Sequence, residues 1–329
     1  MNMTYSGSGV DISKENKAIK ALSNHLTFKR KGMGAPLIGI GHYAGLIDLG
    51  EFALAITTDG IGSKALIANA IKKWDTVGID CIAMNVNDLL AIGAEPLAFV
   101  DYLAMSHPNE QITEQIGIGL QRGAEISNIS VVGGELATLP EIINGFDLAG
   151  TCVGLAQKER IITGEKVEIG DSILGFQSSG IHSNGMTLAR KVIENSTYSY
   201  GDPFPPNPQK NIGEELLTPT RIYIEVLDLI KKFDVHGLAH ITGSGLLKLN
   251  RLPKGFRFDN PLDPHNIFKF LQKEGKISDL EMYKTFNMGM GFLVILSEKE
   301  AKKVSKITDS KIVGEVVEKG ITVKDIVIK

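Results

Sequence analysis

Cysteine is almost missing from this chain: only Cys81 and Cys152 occur, in no metal-like spacing. That excludes a disulfide framework and fits a reducing compartment. Aromatic residues make up only 6%, too few for the stacking platforms that bind single-stranded nucleic acid. An excess of basic charge is lacking too. The formal net charge is −3, and a DNA partner needs a basic stripe. No apolar run is long enough to span a bilayer. Residues 1–31 carry Asp11, Lys14 and Glu15 and lack the unbroken apolar core of a signal peptide. The expectation is a cytoplasmic protein with no nucleic-acid and no membrane partner.

Glycine is abundant instead, with 36 in 329 residues. It clusters in short loops, which marks places where backbone turns or comes close to a ligand. Length favours two domains. The expected fold is α/β with mixed sheets, in an N-terminal domain over 1–160 and a C-terminal domain over 161–329. Ser13 is a candidate cap for a first helix with Ile19, Leu22 and Leu26 on one face. Strand 52–58, helix 64–73, helix 75–93, strand 96–105, helix 109–128, short strand 129–132 and strand 147–157 follow. The pattern restarts with strand 172–177 and helix 186–194. Residues 195–212 carry four prolines and read as an excursion. Thr218-Pro219 predicts a helix start running to about Phe233.

The clearest motif is Thr57-Thr58-Asp59-Gly60-Ile61-Gly62-Ser63-Lys64. Asp59 ends an apolar strand, two glycines turn the chain, and Ser63 and Lys64 open a helix whose N-terminus favours anions. An Asp and a Lys at such a turn suit a metal–phosphate cluster. A plain capped turn is the bland alternative. On the helix over 79–92, Asn85, Asn87 and Asp88 interrupt an apolar face, and buried polar groups need partners. Gly133-Gly134-Glu135 repeats the glycine–carboxylate logic after a strand, and Asp48 is a further oxygen donor. Asp48, Asp59, Asp88 and Glu135 are therefore the candidate metal ligands. Loop Ser178–Gly185 packs hydroxyls, an imidazole and an amide together, and His182 is its acid/base candidate. His236 and His240 are four apart, but no Glu or Cys accompanies them, which argues against zinc. Gly39-Ile-Gly41-His-Tyr-Ala-Gly45 leaves no room for a dinucleotide-binding crossover helix.

Taken together and in order, these loops resemble the phosphoribosylformylglycinamidine cyclo-ligases, the aminoimidazole ribonucleotide synthetases of purine biosynthesis. Further pieces carry the likeness along nearly the whole chain: Gly9–Ile12, Gly78–Asp88, Gly93–Leu97 with Asp101-Tyr102, Thr218–Tyr223, Asp234–Gly243 and Glu281–Gly289. The resemblance implies ATP-dependent closure of the imidazole ring of formylglycinamidine ribonucleotide, with ADP and phosphate released. It implies magnesium with ATP, a homodimer formed through N-terminal strands, and leaves open transient contact with neighbouring enzymes of the pathway. ATP and its phosphates map to Asp59, Gly60, Gly62, Ser63, Lys64, Asn85, Gly133, Gly134 and Glu135. The ribonucleotide maps to Ser179, Gly180, His182, Ser183, Asn184 and Thr242. Lys64 and His182 are the candidate catalytic residues. Leu136–Ile143 and Thr242-Gly-Ser-Gly245 depart from the family pattern. Another ATP-dependent phosphoryl-transfer enzyme of the same superfamily, or a non-catalytic nucleotide-binding homodimer, is the rival reading.

Overall fold

The computed structural model describes residues 3–329. The first half runs α1 (Ile12–Ser23), β1 (Gly45–Leu49), β2 (Phe52–Gly60), α2 (Lys64–Ile71), α3 (Val77–Leu90), β3 (Glu95–Met105), α4 (Glu110–Ser127), β4 (Ser130–Thr138) and β5 (Phe146–Gln157). The second half runs β6 (Ser172–Gln177), α5 (Met186–Glu194), β7 (Pro203–Phe204), β8 (Asn207–Asn211), α6 (Ile212–Leu216), α7 (Val226–Lys232), β9 (Val235–His240), β10 (Gly255–Phe258), α8 (Asn266–Gly275), α9 (Asp279–Thr285), β11 (Met290–Leu296), α10 (Glu298–Val304), β12 (Lys311–Val317), β13 (Ile321–Val323) and β14 (Ile326–Val327).

Both large sheets are mixed, as expected of the fold class. The first has order β1-β2-β5-β3-β4, with only β3 and β4 parallel. The second has order β14-β13-β10-β12-β6-β11-β9, with only β10 and β13 parallel. Strand β5 alternates buried and half-exposed residues, the mark of a sheet covered on one face. Helix α3 covers that face, packing on β2, β5 and β3. Its run of Val77, Ile79, Ile82, Ala83, Val86, Leu89 and Leu90 is almost wholly buried. The other face leaves Phe52, Ile56, Val100 and Tyr102 exposed. By contrast β11 is buried at every residue, as a central strand covered on both faces must be. Among the described residues no helix is long and apolar enough to cross a membrane.

Three local expectations change. Asp11, not Ser13, caps α1, accepting from the Ser13 and Lys14 amides. The short strand at 129–132 is the start of a longer one: Gly133, Gly134 and Glu135 lie inside β4 and pair with β3. Most telling, no helix begins at Pro219. Residues 218–223 belong to no helix or strand, and α7 starts only at Val226. A helix needs its own carbonyls for its amides. Here the segment's polar backbone atoms are claimed by side chains of α3.

Candidate active site

Asp59 stands at the end of β2, where the chain leaves the first sheet. Asn85 of α3 donates from Nδ2 to the Asp59 carbonyl at 3.1 Å and to the Cys81 carbonyl at 2.8 Å. Asn85 is itself fully buried. Its Nδ2 therefore holds the strand end in place, while its Oδ1 has no hydrogen-bond partner among the described residues. The turn beyond is possible because Gly62 sits at φ +54°. Ser63 then points across to the second half, with its Oγ 3.3 Å from Thr187 Oγ1 in the first turn of α5.

The Asp59 carboxylate accepts from the Gly60 amide at 2.7 Å. Burial, then the charge of Asp88, pushes its pKa above the usual carboxylate range. Asp88, three residues beyond Asn85 on α3, accepts from His240 Nδ1 at 2.9 Å. The second ring nitrogen of His240 lies 3.4 Å from Asn87 Nδ2. Burial, then the charge of Arg251, pulls the Lys248 ammonium below the ordinary lysine value, against the charges of the same two carboxylates. Two crowded carboxylates with one raised are a set that a hard cation relieves. Among the described residues no three His, Cys, Asp or Glu side chains gather as a metal-binding group. A phosphate-bridging magnesium needs only one or two carboxylates, so Asp59 and Asp88 fit that ion.

The other two candidate metal ligands lie elsewhere. Asp48 pairs with Ala53 across β1 and β2, at the opposite end of β2 from Asp59. It forms an ion pair with Lys158 at 2.7 Å and accepts from the Gly50 amide. Its type fits a ligand, but its place on the hairpin does not. Glu135 pairs with Tyr102 and shares the exposed outer face of the sheet. Asp59 pairs with Gly150, and Gly150 with Asp101, on the inner face. Within one chain, then, Glu135 and Asp59 point to opposite sides. Gly133 and Gly134 belong to that edge strand, not to the Asp59 loop. At Gly134 the missing Cβ has a local reason: one placed there would strike the Asp101 carboxylate.

Lys64 also departs from expectation. It is fully buried, with Nζ 2.8 Å from Asp80 Oδ2 and donating at 2.9 Å to Asp80 Oδ1 and to the Thr218 carbonyl. Its place in the first turn of α2 aims it at α3, not at the mouth of the loop. His182 sits under its own loop at φ +63°, fully buried, accepting from the Ser179 amide at 3.2 Å. Burial, with His240 and Lys64 nearby, holds its pKa well below the ordinary histidine value. It is a neutral imidazole, enclosed rather than presented.

The loop around it is firmly built. Ser179 Oγ donates to the Pro219 carbonyl at 2.5 Å, and Ser183 Oγ is 3.4 Å from Thr220 Oγ1. Asn287 donates to the Gly180 carbonyl at 3.0 Å. Asn184 Nδ2 reaches Met84 Sδ of α3 at 3.7 Å. Thr242, nearly buried, closes a turn with its carbonyl accepting from Gly245. The structure thus brings together Asp59, Gly60, Gly62, Ser63, Asn85 and Asp88 on one wall, and Ser179–Asn184 on the other. Asp101, His240 and Lys248 are polar residues near this wall that motif reasoning did not place there. His240 was legible only as a histidine beside a glycine loop. Lys248 had no signal, since a lone lysine on a short helical turn reads as surface.

Comparison with known proteins agrees with this architecture. Residues 41–156 match the N-terminal domain of the family described as AIR synthase related protein, and residues 168–326 match its C-terminal domain. A phosphoribosylformylglycinamidine cyclo-ligase of Methanosarcina barkeri is 68% identical over 329 residues, covering 100% of this chain and 99% of its own. One of Methanocaldococcus jannaschii is 50% identical, covering 96% and 93%. Among solved structures, thiamine monophosphate kinase from Aquifex aeolicus superposes with a TM-score of 0.62 at 19% identity, covering 95% of this chain and 98% of that one. A T. maritima PurL complexed with FGAR gives a TM-score of 0.61 at 18% identity over 89% of this chain and 47% of that one. These distant structures share the fold. The two family domains and the full-length likeness place the chain in the phosphoribosylformylglycinamidine cyclo-ligase family.

Proposed function

We propose that this chain catalyses the ATP-dependent cyclisation of formylglycinamidine ribonucleotide to 5-aminoimidazole ribonucleotide in purine biosynthesis, as a cytoplasmic ligase. The full-length 68% identity to a cyclo-ligase carries this reading. The facing of the Asp59–Ser63 loop and the Ser178–Gly185 loop agrees with it. ATP lies on the first loop and the ribonucleotide on the second. ATP phosphorylates the formamide oxygen; the amidine nitrogen attacks the activated carbon, and phosphate leaves. Magnesium held with ATP supplies charge neutralisation. Asp59 and Asp88 would hold it, with His240 fixing the Asp88 carboxylate. Lys248 adds positive charge on the same wall. The protein's work is positioning and electrostatics. Lys64 and His182, both enclosed, take positioning parts here: Lys64 fixes α2 against α3, and His182 fixes the turn of the substrate loop.

The outer face of the first sheet supports a homodimer. Phe52, Ile56, Val100 and Tyr102 form an exposed apolar face that a lone subunit would leave wet. Glu135 lies on that face and would meet the partner there. Coupled detection of ADP tests the function: release should require both ATP and formylglycinamidine ribonucleotide, and release without the ribonucleotide would refute it. Sedimentation of Tyr102→Arg tests the dimer, with a monomer expected.

A further inference from the structure

The irregular segment 218–223 lies between the two walls of the site and is bonded to both. On the nucleotide side, Asp80 Oδ1 accepts from the Thr220 amide at 2.8 Å and from Thr220 Oγ1 at 2.6 Å. Asn87, seven residues along α3, donates to the Arg221 carbonyl at 2.8 Å and accepts from the Tyr223 amide at 3.1 Å. Seven residues are two helical turns, so Asp80 and Asn87 share one face. Lys64 adds the bond to the Thr218 carbonyl. On the substrate side, the Pro219 carbonyl holds Ser179, and Thr220 Oγ1 touches Ser183. Arg221 Nη1 and Tyr223 OH both donate to the Gln177 carbonyl, at 3.1 and 3.2 Å, where the substrate loop leaves β6. A paired strand or a helix would use its backbone groups regularly. This segment gives its carbonyls and amides to side chains from two domains.

We propose that residues 218–223 are a positioning strap, read by Asp80 and Asn87 of α3, which sets the Ser178–Gly185 loop at a fixed distance from the nucleotide wall. Thr220 is its central residue. One hydroxyl bonds the carboxylate of α3 and meets the substrate loop. Asp80 also holds Lys64 and Asn87 also lies against His240, but both reach the substrate loop through the strap. The kinetic part of this inference rests on the proposed cyclo-ligase reaction; the structural part does not.

Thr220→Val tests it, because valine keeps the shape and removes only the hydroxyl. Thr220→Ser is the conservative rescue. Hydrogen exchange followed by mass spectrometry is the first readout. In Thr220→Val the amides of 178–185 should exchange faster, while those of α2 and α3 keep their protection. Thr220→Ser should restore the wild-type pattern. The second readout is kinetic. KM for formylglycinamidine ribonucleotide should rise roughly five- to tenfold in Thr220→Val, the worth of one buried hydrogen bond, with calorimetric affinity for MgADP unchanged. Unaltered exchange in the 178–185 loop would overturn the strap. So would an equal loss of ADP and ribonucleotide binding, which marks general loosening. Should Thr220→Val not fold, Asn87→Asp is the second variant: it loses the donor to the Arg221 carbonyl and the same loop should loosen, or the strap is wrong. Loosened exchange in Thr220→Val, where the wild type shows no ribonucleotide-dependent ADP release, supports the strap while refuting the proposed function.

Discussion

Asp80 and Asp88 sit two turns apart on α3 and live in different worlds. Asp80 is fully buried; its Oδ1 accepts from Lys64, the Thr220 amide and the Thr220 hydroxyl, and its Oδ2 meets the Lys64 ammonium in an ion pair. The Asp88 side chain is 16% exposed, bonded to one histidine, and close enough to Asp59 to raise its pKa. The first arrangement is satisfied and closed. The second is under-compensated and open to solvent. Buried polar networks that are complete give rigidity, while crowded like charges at a rim mark a place where something positive binds. Helix α3 therefore carries structure on one face and chemistry at its end.

The largest effect should come from the closed side. Asp80→Ala leaves the Lys64 ammonium buried without its counter-charge and frees two donors of Thr220. A loss of about 3–5 kcal/mol in urea unfolding is expected, the usual cost of breaking one half of a buried pair. Lys64→Met should cost less, because Asp80 keeps its two bonds from Thr220. An Asp80→Ala protein as stable as wild type would erase the distinction between the two acids.

Asp59→Asn is the opposite experiment. Turnover should fall on the order of 10²-fold, the scale of removing one preorganised electrostatic group. Stability should hold or rise. The sign follows from the raised pKa: folding disfavours ionised Asp59, a cost that appears as pH climbs through and above the carboxylate range. Asparagine has no such cost. Its relative gain in melting temperature should be present near neutrality and fade as the pH is lowered into the carboxylate range. A stability loss at pH 7 would put Asp59 on the closed side with Asp80.

That two-sidedness explains what the sequence could and could not reveal. The elements and mixed sheets were legible because hydrophobic periodicity and loop glycines are local signals. The Asp59 turn and the Ser178–Gly185 loop were legible as motifs. Which polar residue faces which neighbour was not. Lys64 and Lys248 are both lysines at helical turns, yet the one in the motif is enclosed and the one outside it faces the carboxylates. Glu135 looked like Asp59 because it follows two glycines, and Asp48 because it is an oxygen donor near the same loop. Strand register, a long-range property, sends them to another end and another face. The strap misled for the same reason. Thr-Pro is a sound helix start, but side chains of α2 and α3, 134 to 154 residues earlier, compete for its backbone, and no local rule contains them.

A smaller test concerns the acid limb. His182 is neutral in the folded chain, with its pKa well below that of an unfolded histidine. The unfolded state therefore binds an extra proton once the pH drops below about 6.5. Wild-type stability should fall with pH there, by at most about 1.4 kcal/mol per unit from this group. Asparagine tolerates the positive φ of this position. His182→Asn should flatten that slope in urea midpoints measured from pH 7.5 to 5.5. An unchanged slope would mean that the imidazole is reached by solvent and belongs with the open wall.

The smallest effect is expected at Ser244, in the loop just past His240. Ser244 stands at φ +71°, a region that favours glycine. A side chain in that region costs roughly 1–2 kcal/mol. Ser244→Gly removes the strain but frees the unfolded chain, a loss of about 0.5–1 kcal/mol. The serine hydroxyl also donates to the Gly243 carbonyl beside it, a short local bond that glycine forfeits. These contributions oppose each other, so the net gain should stay within about 1 kcal/mol. Calorimetric melting should move by a few degrees at most. The comparison lies in turnover. If the loop only packs, activity stays level. If strain at Ser244 aims His240 at Asp88, Ser244→Gly should slow the reaction while leaving the Asp80 side, and global stability, untouched.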